Sequence, residues 1–138
     1  MSSSEVTFRG RSFEAPDSAL EVWLRLLTIA IDGVAEPADW MSAAHEDWND
    51  AATMGFGYGV IPDLDAFVTD EDRRSIVLHL CERALTHLLA IGDPIPAASL
   101  NQLGAGRSDS RFVNDVPAAT FTRVADQFIA LVRDAQLE

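Results

Sequence analysis

The sequence contains no lysine, a single cysteine and no apolar run long enough to cross a membrane. All ten basic residues are arginine and stand against 22 acidic residues, which gives a net charge of −12. A chain this acidic repels phosphate groups, so nucleic acid and anionic membranes are not expected as partners. The one cysteine, Cys81, excludes an internal disulfide and fits a reducing compartment. The longest apolar stretch, Leu26–Ile31, is interrupted by Thr28 and is too short for a transmembrane helix.

The remaining composition is that of one globular domain. Hydrophobic residues make up 48% of the 138 residues and charged residues 23%, whereas a disordered acidic tail would be far poorer in apolar residues. The first five residues, MSSSE, lack the basic and then apolar run of a signal peptide. We therefore expect a single cytoplasmic domain that is long enough to bury a core.

Apolar periodicity predicts a mainly α fold, a single-domain bundle of four or five helices over residues 16–138. Residues 1–15 alternate only weakly and are expected to form an extended arm or a short strand. The first helix, from Pro16 to Gly33, is apolar over most of its circumference and should be the central one. Thr69 is the expected N-cap of a long third helix that stops at Gly92. The other expected elements are helices over residues 37–52 and 117–137, a loop over 53–68, and a connector over 93–106 with one short turn near Leu100.

Acidic residues are concentrated in one window that contains neither lysine nor arginine. Between Leu26 and Asp72 lie 11 of the 22 acidic residues, and His45 is the only side chain there that can become positive. A charge run is usually a solvated face, but stability alone would favour compensating arginines at i,i+4 spacing. Acids interleaved with aromatic residues are typical of a surface that attracts a basic partner and anchors on it. The large aromatic residues of the window are Trp40, Trp48, Phe56, Tyr58 and Phe67.

Eight residues of this window are the candidate partner-binding residues. Four acids belong to the second predicted helix, three of them on its outer face, and two more follow in the loop. The glycine-rich loop either displays its two aromatic rings as anchors or tucks both into the core. The acids would steer a basic partner and the rings would be buried against it. The set is Asp39, Glu46, Asp47, Asp50, Phe56, Tyr58, Asp63 and Asp65.

No catalytic residue, cofactor site or metal site is predicted from the sequence. His79 and His87 are eight residues apart on the third helix, which separates them by about 12 Å, too far to share a metal ion. The acidic loop fails the calcium-binding pattern, because Phe67 and Val68 stand where an oxygen ligand and a glycine are required. Cys81 falls on a core stripe, where a thiol behaves as a small hydrophobe.

The pattern Trp40…Trp48…Gly55-x-Gly, followed by Pro62-Asp-Leu-Asp and the long third helix, resembles the immunity proteins of bacterial toxin systems. The resemblance covers residues 16–91 and carries over no functional residue. It implies an inhibitor that binds a cognate, basic toxin, such as a nuclease or a deaminase, and occludes its active site. Two alternatives stay open, a small enzyme with its site in the acidic loop and an acidic homo-oligomeric adaptor. The sequence also leaves open whether the protein is a monomer or a homodimer.

Overall fold

The computed structural model describes residues 2–54, 59–106 and 112–137. In this part of the chain a two-stranded antiparallel sheet precedes five helices, which confirms the mainly α class and agrees with a bundle of four or five helices. None of the described helices is both long enough and apolar enough to cross a membrane. The elements are β1 (Ser3–Phe8), β2 (Arg11–Pro16), α1 (Asp17–Asp32), α2 (Asp39–Thr53), α3 (Glu71–Ile91), α4 (Ala97–Leu103) and α5 (Ala118–Asp134).

The N-terminal segment forms a β-hairpin, where the sequence indicated an arm or a single short strand. Val6 of β1 pairs with Phe13 of β2, and buried and exposed residues alternate along β1. Arg9 and Gly10 both have positive φ angles, of 51° and 79°, as a two-residue hairpin turn requires. Asn-Gly or Asp-Gly is the usual signal for such a turn, so the Arg-Gly pair concealed the second strand.

Helix α1 lies at the centre of the fold, as its apolar circumference predicted, and packs against each of the other four helices. Leu20, Trp23 and Leu27 are fully buried. The ring of Trp23 meets that of Phe128 on α5 edge to face, with the centroids 5.9 Å apart. Because each large apolar side chain contributes about 1.5–3 kcal/mol when buried, this helix supplies much of the core's stability.

Helix α3 has Asp70 as its N-cap, and the expectation that Thr69 caps it is wrong. Oδ1 of Asp70 accepts a hydrogen bond of 2.8 Å from the backbone N–H of Arg73. A carboxylate accepts a hydrogen bond from this exposed N–H, and its negative charge also interacts favourably with the positive end of the helix. A threonine hydroxyl carries no charge and lacks the second interaction. One residue further, Arg74 donates to backbone carbonyls at the end of α5, including that of Val132 at 3.3 Å. The start of α3 is thereby joined to the end of α5.

Helix α4 occupies the connector in which the sequence indicated only one short turn. Leu100 and Leu103 are its buried residues. Nε of Arg25, on α1, donates a hydrogen bond of 2.7 Å to the carbonyl of Leu103. The helix therefore ends against a side chain of the central helix, a contact between residues 78 positions apart that periodicity does not reveal.

Candidate functional site

The outer face of α2 carries a row of three carboxylates, which we call the acidic stripe (Asp39, Glu46 and Asp50). All three residues are exposed. Their spacing of seven and four residues keeps them on one side of the helix, over about 16 Å of its length. The opposite side of α2 buries Met41 and Trp48 in the core, so the orientation of the stripe toward solvent is fixed by packing.

The acidic stripe has no basic partner among the residues that the structure describes. None of its carboxylates forms an ion pair or a side-chain hydrogen bond there. Asp39 lies in the first turn of α2, where the helix dipole favours a negative charge. Asp50 lies in the last turn, where the dipole disfavours it and where the turn itself contains no basic residue. The position of Asp50 thus adds nothing to the stability of the helix.

Asp47 and Asp63 form a structural link between α2 and the loop that follows it. The backbone N–H of Asp63 donates to Oδ2 of Asp47 at 2.9 Å, and Nε1 of Trp48 donates to the carbonyl of Asp63 at 3.0 Å. Oδ1 of Asp63 in turn accepts from the backbone N–H of Ala66 at 3.0 Å. These bonds hold the loop against the helix and place Asp47, Asp50 and Asp63 near one another.

The carboxyl groups at this junction repel one another. Burial raises the pKa of Asp47, and the negative charges of Asp63 and Asp50 raise it further, against the opposing effect of the backbone N–H of Asp63. A positive charge docked at this point would relieve the repulsion, because an opposite charge favours the ionised carboxylate. Three carboxyl groups, those of Asp47, Asp50 and Asp63, are accordingly grouped at the end of α2.

Asp65 differs from the acidic stripe because its carboxylate bonds to the hairpin. The backbone N–H of Arg9 donates to Oδ1 of Asp65 at 3.0 Å, and Nε of Arg9 lies 3.8 Å from the same oxygen. The absence of arginine within the acidic window is therefore compensated here from outside the window, by a residue 56 positions away. Asp65 fixes the β1–β2 turn, whereas the acidic stripe forms no ion pair or side-chain hydrogen bond with the described residues.

The aromatic residues described in the window are largely part of the fold. Trp48 is buried, and its ring meets Phe67 edge to face with the centroids 6.2 Å apart. Trp40 is half-buried, with the guanidinium carbon of Arg73 5.0 Å from its ring centroid. Phe56 and Tyr58, the predicted anchors, lie outside the described residues.

Two exposed apolar side chains next to the acids were not singled out from the sequence. Met54, which directly follows α2, is 47% exposed, and Ile61, two residues before Asp63, is 60% exposed. The backbone N–H of Met54 donates to the carbonyl of Asp50 at 2.7 Å, so Met54 lies one helical turn beyond Asp50. Single apolar residues at the surface are common, and these two are distinguished only by their closeness in the chain to Asp50 and Asp63.

The groups tested for metal binding or nucleophilic chemistry have other roles. Nε2 of His45 lies 3.0 Å from Oδ1 of Asp32, and Nδ1 of His79 lies 3.6 Å from Oε2 of Glu82. The described residues contain no group of three or more potential ligands that could hold a metal ion. Cys81 is fully buried, and burial raises the pKa of its thiol far above the ordinary value, which keeps it in the unreactive protonated form.

Among the described residues, Glu21 is a strongly perturbed carboxyl that the sequence did not indicate. It is half-buried on α1, and burial, followed by the charge of Asp17, raises its pKa from 4.5 to about 7. Asp17 itself accepts a hydrogen bond from the hydroxyl of Ser4. The i,i+4 spacing of two acids on a mostly apolar helix was the available signal, because like charges at that spacing repel.

No protein-family model, curated protein or solved structure matches this chain. A functional proposal for this chain therefore rests on the geometry of the described residues. Within that geometry, the acidic stripe is a set of exposed carboxylates without an ion pair or side-chain hydrogen bond among the described residues.

Proposed function

We propose that this protein is an immunity protein that binds a basic toxin protein through the acidic stripe and neutralises it by covering its active site. The observation that supports the proposal is that Asp39, Glu46 and Asp50 share one exposed face without a basic partner among the described residues. The position of Asp50 at the negative end of α2 is unfavourable for the free helix. A cationic surface bound at this point would attract Asp50 and offset its unfavourable interaction with the helix dipole.

Steering of the encounter is the first role of the charge. A net charge of −12 attracts a basic protein over about one Debye length, roughly 8 Å at physiological salt. Such steering raises association rate constants by about 10- to 1,000-fold over a neutral pair, and the gain falls steeply as salt increases. The stripe provides the place where this general attraction becomes a specific contact.

Anchoring requires apolar burial beside the charges, because exposed ion pairs alone contribute only about 0–1 kcal/mol each. Met54 and Ile61, which are close in the chain to Asp50 and Asp63, supply exposed apolar surface. Phe56 and Tyr58 lie between them in the chain and keep the anchoring role predicted from the sequence. We assign the docking surface to the outer face of α2 together with residues 54–63.

The remaining acids of the candidate set shape this surface. Asp47 and Asp63 fasten the loop to α2 through the hydrogen bond between the Asp63 N–H and the Asp47 carboxylate. Asp65 holds the hairpin turn through the N–H of Arg9. We expect their replacement to disturb the loop as well as the charge, so they make poor probes of binding alone.

A charge-reversal experiment tests the proposal. The stripe variant carries Asp39→Arg, Glu46→Arg and Asp50→Arg. It changes the net charge from −12 to −6, because each reversal adds two positive charges. A control variant with the same net charge reverses three exposed acids on other elements, Glu14, Glu82 and Asp126. Comparison of the two separates the specific surface from the effect of total charge.

The assay begins with the tagged protein as bait in a lysate of the organism that carries the gene, with salt raised stepwise during elution. We expect wild type and the control variant to retain one basic protein that is toxic when expressed alone, and to protect cells that express it. The stripe variant should lose both properties while it melts within a few degrees of wild type. A stripe variant that protects as well as wild type would place the interface elsewhere. A stripe variant that fails to fold would show that these acids serve the structure.

A further inference from the structure

A groove of about 520 Å³ opens between the end of α1, the first turn of α2 and the middle of α3. Met41 and Leu80, which are buried, form its floor. Val34 and Ile76 form its walls, and Ile76 is 38% exposed. The volume falls in the range of small-molecule sites, which are concave, mostly apolar and carry a few polar groups.

The charge along the groove is opposite in sign to that of the whole protein. No carboxylate lines it, and its two titratable lining residues are His79 and Arg83, although the net charge of the chain is −12. Oε2 of Glu82 lies 3.6 Å from Nδ1 of His79, so any positive charge on His79 is already offset. Arg83 is the group left to attract an anion.

Arg83 is exposed on α3, at the edge of the groove near the end of α1. Its Nη1 lies 3.8 Å from the point where a Cβ on Gly33 would stand. No described residue accepts a hydrogen bond from the guanidinium or forms an ion pair with it. A guanidinium offers five N–H donors in a planar fork that matches a carboxylate. Among the described residues, Arg83 therefore offers an unpaired guanidinium to an anion at the edge of an apolar groove.

We propose that this groove binds a small amphipathic carboxylate, with the apolar chain on Met41, Ile76 and Leu80 and the carboxylate on Arg83. The lining residues favour this occupant because it satisfies both the apolar floor and the single available cation. No residue of the acidic stripe lines the groove. The proposal rests on the residues of the groove and not on the proposed toxin binding.

The probe for this site is octanoate, added to the full chain and followed by ¹H–¹⁵N NMR. Octanol and octylammonium serve as neutral and cationic probes of the same chain length. Octanoate should bind saturably, with shifts centred on the amides of residues 33–41 and 75–83. Octanol should bind about tenfold more weakly, the loss typical of one charge-assisted hydrogen bond. Octylammonium should bind more weakly still, because Arg83 repels it.

Two variants separate the parts of the site. Arg83→Gln should lower octanoate affinity about tenfold, to that of octanol, and leave octanol binding unchanged. Ile76→Ser should weaken octanoate and octanol by the same factor, because it removes only apolar wall. Arg123→Gln, on the exposed surface of α5 and outside the groove, is the control and should change neither affinity.

Three results would overturn the proposal. The first is octanoate binding no tighter than octylammonium. The second is an Arg83→Gln variant with unchanged preference for octanoate. The third is a concentration-dependent molecular mass that Ile76→Ser abolishes, since that would make a second copy of this chain the occupant of the groove.

Discussion

Replacement of Glu21 by glutamine should stabilise the protein at alkaline pH and change its stability much less at mildly acidic pH. The pKa of Glu21 is raised from 4.5 to about 7 by burial and by the charge of Asp17. The folded state therefore holds a proton that the unfolded state releases. The stability that this proton contributes is fully present below about pH 4.5 and is lost as the pH rises through about 7. Glutamine keeps the neutral form at every pH.

The size of the effect follows from the two pKa values. A difference between 4.5 and about 7 corresponds to about 3 kcal/mol at most, at roughly 1.4 kcal/mol for each tenfold change in proton affinity. Glu21 is only half-buried, so solvent screens much of this penalty. We expect Glu21→Gln to raise the free energy of unfolding by about 1 kcal/mol at pH 8.

Urea denaturation at pH 5 and at pH 8 measures this difference. Glu36→Gln, at an exposed position in the α1–α2 connection, is the matched control and should follow wild type at both pH values. If the free energies of unfolding of wild type and Glu21→Gln changed in parallel from pH 5 to 8, the pKa of Glu21 would not be raised in the folded state. A less stable Glu21→Gln protein at pH 8 would show instead that the carboxylate has a stabilising partner.

Three further predictions concern the cap, the hairpin and the cysteine. Asp70→Ala should lower the free energy of unfolding by about 1 kcal/mol because it removes the N-cap of α3, whereas Thr69→Ala should change it by less than about 0.5 kcal/mol in the same denaturation assay. Glu5→Arg should stabilise the hairpin by roughly 0.5 kcal/mol at low salt, since Glu5 faces Glu14 across the strands; a gain that persists in 1 M salt would rule out the electrostatic cause. Cys81 should resist alkylation in the folded protein and react at once in denaturant, because it is fully buried; rapid modification of native protein would contradict this.

Local sequence patterns predicted the features that depend on a single helix. The apolar circumference of α1 predicted its central position, and the apolar residues on one side of α2 predicted which acids face solvent. Asp50 and Glu46 could therefore be placed on the outer face from spacing alone. The general α class follows from the same periodicity.

Contacts between distant parts of the chain were out of reach. Arg9 reaches Asp65 across 56 positions, so a window without arginine is not a surface without compensation. The raised pKa of Glu21 depends on burial that only the packed structure defines. The hairpin was missed because its turn uses Arg9 and Gly10, an uncommon pair for positive φ at both central positions.

The association rate constant of the captured basic partner shows whether the outer face of α2 is the binding surface. It should be measured for wild type, the stripe variant and the control variant at low and at physiological salt. Our account predicts that the stripe variant associates about 10- to 100-fold more slowly than wild type at low salt, and that the control variant, with the same net charge, loses far less. Equal losses in both variants would show that only total charge matters. An unchanged rate in the stripe variant would contradict the assignment of the outer face of α2 as the binding surface.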